Sequence, residues 1–210
     1  MDSSSFTLSQ WEQEHLLEKL KVFKIQGRDK RSHQLLLIVG KDFPAPMVSS
    51  EALKKYLEEK IYPKIRGKPF SMVYVHTGVQ RSRNFPGIWT LWSICDAIPI
   101  NVKENLEAVY FLHPGLQSRL FVATFGPLLF SKGLYRKLQY VNRLEFLWHN
   151  VRSTEMEMPE FVYDHDKELE NRPLMNYGLE SDHPRPRIYS ASSVDPPVSN
   201  SMSYSTRCIA

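Results

Sequence analysis

The sequence predicts an α/β fold: a mainly parallel sheet with an antiparallel edge strand, and helices packed around it. Three observations carry that prediction. The runs Leu35 to Val39, Phe70 to His76 and Leu106 to Leu112 are almost unbroken apolar segments, the pattern of strands covered on both faces. The stretches between them show helical periodicity, as parallel strands joined by crossovers require. A shorter run, Val22-Phe23-Lys24-Ile25, meets the next strand through a turn over Gln26 to Lys30. That connection is too short for a crossover, so this strand is antiparallel.

The elements follow in order. Ser9-Gln10-Trp11-Glu12 is a capping box opening a helix with Trp11, Leu16, Leu17 and Leu20 on one face. After the first two strands, Gly40 and Pro44-Ala45-Pro46 stop the chain. A helix over Ser49 to Tyr62 aligns Leu53, Tyr56, Leu57 and Ile61, with Glu51 and Lys55 in the favourable i,i+4 order and Pro63 after its end. Pro86 to Ala97 is a helix whose Trp89 and Trp92 read as core. Gly115 to Phe130 is a helix and Leu138 to Val141 a short strand, followed by helices over Arg143 to Val151 and Pro159 to Asp166.

The chain divides into an N-terminal helix (1–20), a folded domain (21–165) and a Ser/Pro-rich tail (166–210). Residues 171–210 hold eight Ser and five Pro and no Phe or Trp. Such a segment buries too little apolar area to offset its ordering entropy, which predicts disorder. The basic excess lies in residues 1–164, with 22 Lys+Arg against 17 Asp+Glu. That suits an anionic surface and is too small to argue for nucleic acid.

With 42% hydrophobic and 24% charged residues, collagen, coiled-coil and wholly disordered classes are excluded. Two cysteines, Cys95 and Cys208, make no disulfide framework, and a reducing, cytoplasmic address fits. The most apolar run, Leu116 to Phe130, is interrupted and shorter than the ~20 residues a membrane span needs. No signal peptide or lipidation motif is visible.

Nucleotide loops, nucleophile elbows, zinc helices and Cys-x-x-Cys pairs are all missing, and no two of the seven His stand at i,i+3 or i,i+4. The expectation is a protein without catalytic residues, metal or cofactor. His76 and His113 both end strands, where ligands of open α/β sheets bind and where ordinary hydrogen-bonding caps also sit. Arg81 and Arg83 mark a basic loop, either merely solvated or touching an anionic surface.

The segment Leu116 to Phe130 is apolar on more than one face, through Leu120, Phe121, Val122, Phe125, Leu128 and Leu129, and Gly126-Pro127 interrupts it. A surface helix carries one stripe. This helix is either buried on both sides or the lid of a greasy cavity, with Pro127 as a hinge.

Four motifs come in sequence: Val39-Gly40-Lys41-Asp42-Phe43-Pro44, Val73-Tyr74-Val75-His76-Thr77-Gly78, Leu106 to Pro114 and Lys137 to Val141. In this order and spacing the chain resembles the CRAL-TRIO lipid-binding domain, which includes phosphatidylinositol transfer proteins. It looks closest to the divergent BCH branch of Rho GTPase-activating proteins and ganglioside-induced differentiation-associated proteins. The resemblance implies a hydrophobic pocket under a mobile gate helix, with Leu120, Phe121, Phe125, Leu128 and Leu129 as gate residues. It implies headgroup contacts at Glu104 and Lys137, to which His113 is added for its place at a strand end. The implied partner is one amphipathic lipid, such as a phosphoinositide, taken from a transiently bound membrane. The alternative is a scaffold for Rho-family GTPases or their regulators.

Overall fold

The computed structural model describes residues 8–130 and 132–171. Most of the predicted tail, residues 172–210, lies outside that range. Five strands form one sheet in the order β1 (Phe23–Arg28), β2 (Gln34–Val39), β3 (Phe70–Val75), β4 (Leu106–Leu112) and β5 (Leu138–Val141). β1 is antiparallel to β2 and the other pairs are parallel, as the turn length and the apolar runs predict.

Helix α1 (Gln10–Lys19) begins at the expected capping box: Ser9 Oγ accepts the Glu12 N–H, and Glu12 accepts back from the Ser9 N–H. Its predicted apolar face is not buried as a whole. Only Leu17 reaches the core, while Trp11 stays exposed and stacks on His15. β1 continues past its expected end because a bulge between Ile25 and Arg28 absorbs Gly27 at φ +69°. The reversal therefore falls at Asp29 to His33, where the Asp29 N–H donates to the His33 carbonyl.

The helix predicted over 49–62 runs further. Regular α2 (Ser50–Tyr56) passes through a π-helical stretch, Leu57–Ile61, into α3 (Tyr62–Ile65). The wider turn places Pro63 in the first turn of α3, where a missing N–H costs little. The predicted stripe of Leu53, Tyr56, Leu57 and Ile61 is buried. Lys55 pairs with Glu14 of α1 at 3.2 Å and with Glu59, and not with the expected Glu51.

One short helix, α4 (Arg81–Asn84), falls in the segment read as a basic loop, and two more, α6 (Ile100–Asn105) and α8 (Lys132–Arg136), fall where the sequence predicts no element. The remaining helices are α5 (Ile88–Ala97), α7 (Leu116–Leu129), α9 (Leu144–Trp148) and α10 (Glu160–Glu170). α10 extends four residues past Asp166, so residues 166–170, expected in the tail, are helical. α7 passes through Pro127 without a break, and the Phe130 N–H still reaches the Gly126 carbonyl.

The two sheet faces build two cores. Leu35, Leu37, Val39, Val73 and Val75 face Leu144, Leu147, Met156, Met158 and Val162, and all are buried. On the other face, Leu36, Phe70 and Leu106 meet Leu17, Leu53, Tyr56 and Ile65 from α1, α2 and α3.

Candidate ligand site between the sheet and two apolar helices

The second face is covered unevenly. Alternate strand residues share a face, so Ile38, Met72, Tyr74 and Val109 point toward the side of α1, α2 and α5. All four are only half-buried, whereas their neighbours Leu37, Val73 and Val75 on the opposite face are fully buried. The helices above match this looseness. α5 is strongly apolar yet has no buried residue, and α7 buries only Val122, Gly126 and Leu129. Trp89, read from the sequence as core, is 82% exposed, and Trp92 is also exposed. α5 leans on α2 and α7, and α7 on α5 and α8.

Aromatic rings line the trough. Tyr74, His76 and Tyr140 pack around Phe111, with centroids 5.1 to 5.9 Å from it. Phe85 meets Phe121 edge-on at 5.3 Å, and Phe121 meets Phe125 at 5.1 Å. Burial pushes the Tyr74 phenol up to about 12 and the His76 imidazole down to about 4. His76 Nδ1 is buried with no hydrogen-bond partner among the described residues. Burial likewise lifts the Cys95 thiol to about 11, leaving it a protonated apolar filler.

The predicted gate residues divide between two sides of α7. Phe121 and Phe125 are half-buried and Leu129 is buried, while Leu120 (59%) and Leu128 (69%) face outward. Arg119 anchors the first half of the helix: its guanidinium donates to the Pro114 carbonyl and to Asn142 Oδ1 and lies over the Tyr140 ring. At the other end Gly126 admits Tyr135 of α8, whose ring would lie 2.5 Å from an added Cβ.

The three predicted headgroup residues are not brought together. Glu104, exposed on α6, and Lys137, just before β5, sit at the amino ends of the adjacent strands β4 and β5. The Lys137 ammonium is engaged by the Leu106 carbonyl. His113 lies at the far end of β4, about 20 Å away at the usual rise per strand residue. There it is a strut. Nδ1 is 2.8 Å from Thr77 Oγ1, Nε2 is 3.2 Å from Asp166 Oδ1, and the ring is sealed from solvent. Asp166 also accepts the Leu144 N–H and faces Arg143. Burial raises its pKa, but the Leu144 N–H, His113 and Arg143 outweigh that and hold the carboxyl below its ordinary range. Arg81 and Arg83 are exposed on α4, which Asn84 pins to the carbonyls of Lys41 and Phe43.

Sequence reading missed Asp166 and Thr77 as ties and Ile38, Met72 and Val109 as trough lining. The strand period of two was the available signal for the lining. Among the described residues no group of His, Cys, Asp or Glu is placed to hold a metal, and no helix is long and apolar enough to cross a membrane.

The chain is thus an α/β domain whose mixed sheet has one tightly packed face and one loosely roofed face. Residues 32–168 match the divergent CRAL/TRIO domain, and the chain belongs to that family of lipid-binding modules. It is 29% identical over 158 residues to ganglioside-induced differentiation-associated protein 2 of Xenopus tropicalis, covering 74% of this chain and 30% of that protein. The Homo sapiens protein of that name is 27% identical over 160 residues, with coverage of 75% and 31%. The chain thus spans about a third of the length of these relatives. Among solved structures, Sfh5 aligns over 80% of this chain and 63% of its own, at 14% identity and a TM-score of 0.36.

Proposed function

We propose that the chain is a non-catalytic module that takes up one amphipathic lipid in the trough beneath α5 and α7. The observation that carries this is the contrast between the two sheet faces. The apolar floor of Ile38, Met72, Tyr74 and Val109 is only partly buried under two apolar helices, while Leu35, Leu37, Val39, Val73 and Val75 on the opposite face are fully buried. A lipid chain entering there gains ~0.8 kcal/mol per methylene buried. Polar groups at the mouth then select the headgroup. Lys137 would exchange the Leu106 carbonyl for a phosphate oxygen, and Glu104, on the neighbouring strand's approach, would accept hydroxyl hydrogens.

Loading fits a membrane surface. Trp89, Leu120 and Leu128 are exposed, as are Arg81 and Arg83, and Trp, Leu and cations are the side chains that settle at an anionic interface. Native mass spectrometry with lipid extraction, on protein from a eukaryotic host, tests the proposal. A stoichiometric lipid is expected. Protein that stays empty after incubation with mixed liposomes overturns it.

A second reading, a scaffold for Rho-family GTPases or their regulators, has one observation in its favour. Tyr74, Phe111, Phe121 and Phe125 place bulky rings in the trough, as a filled pocket would. On that reading the chain captures a Rho GTPase in a nucleotide-dependent manner, and capture indifferent to nucleotide counts against it.

A further inference from the structure

A cavity lined by none of the trough residues opens by the amino ends of β2 and β3. It measures about 600 Å³, and its lining includes Arg28, Ser32, His33, Gln34 and Lys68. Its construction starts at Asp29, which is 3% exposed. One carboxylate oxygen accepts the N–H groups of Arg31 and His33 at 2.9 and 2.8 Å. The other accepts the Ser71 hydroxyl at 2.9 Å and lies 3.0 Å from His33 Nδ1. The carboxylate is thereby spent inside the turn, and the imidazole is oriented with Nε2 as its remaining polar atom.

The turn is fixed from outside as well. Asp29 bridges Val151, the Arg152 N–H donates to the Arg28 carbonyl, and Gly27 packs so closely on Glu155 that an added Cβ would lie 2.6 Å from its carbonyl oxygen. Glu155 also lines the cavity, but Arg152 pairs with it at 3.0 Å while bonding Ser32 Oγ. Neither Arg28 nor Lys68 forms an ion pair among the described residues, and Lys30, Arg31 and Arg66 stand exposed on the same two loops, with Lys64 exposed at the end of α3. The cavity therefore has two cations from different segments in its lining, Arg28 and Lys68, and no uncompensated carboxylate.

We propose that this cavity binds a phosphate monoester carried on a polar body the size of a sugar or inositol ring. Arg28 and Lys68 hold the phosphate, the oriented His33 contributes a hydrogen bond, and Ile25 and Pro69 flank the ring. A forked guanidinium together with a point-charge ammonium matches a tetrahedral dianion. A volume of this size exceeds what an isolated phosphate fills and lies in the usual range for small-molecule sites. The site is separate from the trough, so it stands whether or not that trough holds lipid.

The test is an amide chemical-shift titration of the ¹⁵N-labelled chain with inositol 1,4,5-trisphosphate and with inorganic pyrophosphate. A parallel arm measures flotation with phosphatidylcholine vesicles containing phosphatidylinositol 4,5-bisphosphate. The expected result is saturable, one-to-one shifts centred on Gly27, Ser32, His33 and Gln34. Lys68→Glu should weaken binding at least tenfold and His33→Gln severalfold, while Lys167→Glu on α10, the same charge change elsewhere, leaves it within twofold. Vesicle binding lost in the same variants assigns the phosphate to a lipid headgroup. Soluble binding alone assigns it to a free phosphate ester. Non-saturating shifts spread over the basic surface, or equal weakening by Lys68→Glu and Lys167→Glu, overturn the site.

Discussion

His76 carries a cost that its position explains. Its ring stays neutral because burial holds its pKa near 4 against an ordinary 6.5. The unfolded chain takes up the proton first, so this residue leaves stability untouched above about pH 6.5 and removes it progressively as pH falls toward 4, by an order of 3 kcal/mol. His76→Phe keeps the ring and removes both the titration and the unpaired Nδ1. Urea denaturation across pH 4 to 7 should therefore show the variant equal to or more stable than the parent at pH 7, and much flatter on the acid side. Asp166 acts in a lower window. Its depressed pKa contributes stability that is present above the ordinary carboxyl range near 3.9 and is lost as pH falls below it. Asp29→Ala strands the Ser71 hydroxyl, the His33 ring and two backbone N–H groups. A loss of about 2–4 kcal/mol is expected in the same denaturation experiment.

At the scale of the element, α7 is held unequally. Arg119 ties its first half to Pro114, Asn142 and Tyr140, while its second half rests on Tyr135 through the bare Cα of Gly126. Gly126→Ala pushes α8 away, and a loss of about 1–3 kcal/mol, the usual cost of overpacking, should appear in thermal denaturation. Arg119→Met removes the tie and should speed exchange of a fluorescent lipid between vesicles without unfolding the chain; an unchanged rate would deny Arg119 the part of latch. Phe125→Asp puts a charge beneath the roof and should abolish lipid occupancy in a protein whose circular dichroism is intact.

The sheet was legible in the sequence because strands buried on both faces leave nothing but apolar side chains. β2, β3 and β4 declare themselves that way, and the two-strand reversal at Asp29 declares the antiparallel edge. What local pattern failed to give depends on partners far along the chain. Trp89 and Trp92 are apolar and yet exposed, because α5 stands off the sheet. His113 sits at a strand end as a ligand would, but Thr77 and Asp166, 36 and 53 residues away, occupy both ring nitrogens. α4, α6 and α8 are too short to show a period.

On the scale of the molecule, the strand order in space equals the strand order in the chain. As the polypeptide leaves the ribosome, each new strand meets an edge already formed by its predecessor. No strand must be inserted between two others, and no loop must be reopened. The returns across the growing structure come late: Val151 and Arg152 reach back to Asp29 and Arg28 beside β1, and then α10 arrives and Asp166 meets the end of β4. Assembly is therefore vectorial up to these late returns, the last of which closes the face already covered by α9. A chain truncated before residue 159 should carry the five-stranded sheet with the face that Val162 covers still open to protease, and a chain extending past residue 170 should have it closed.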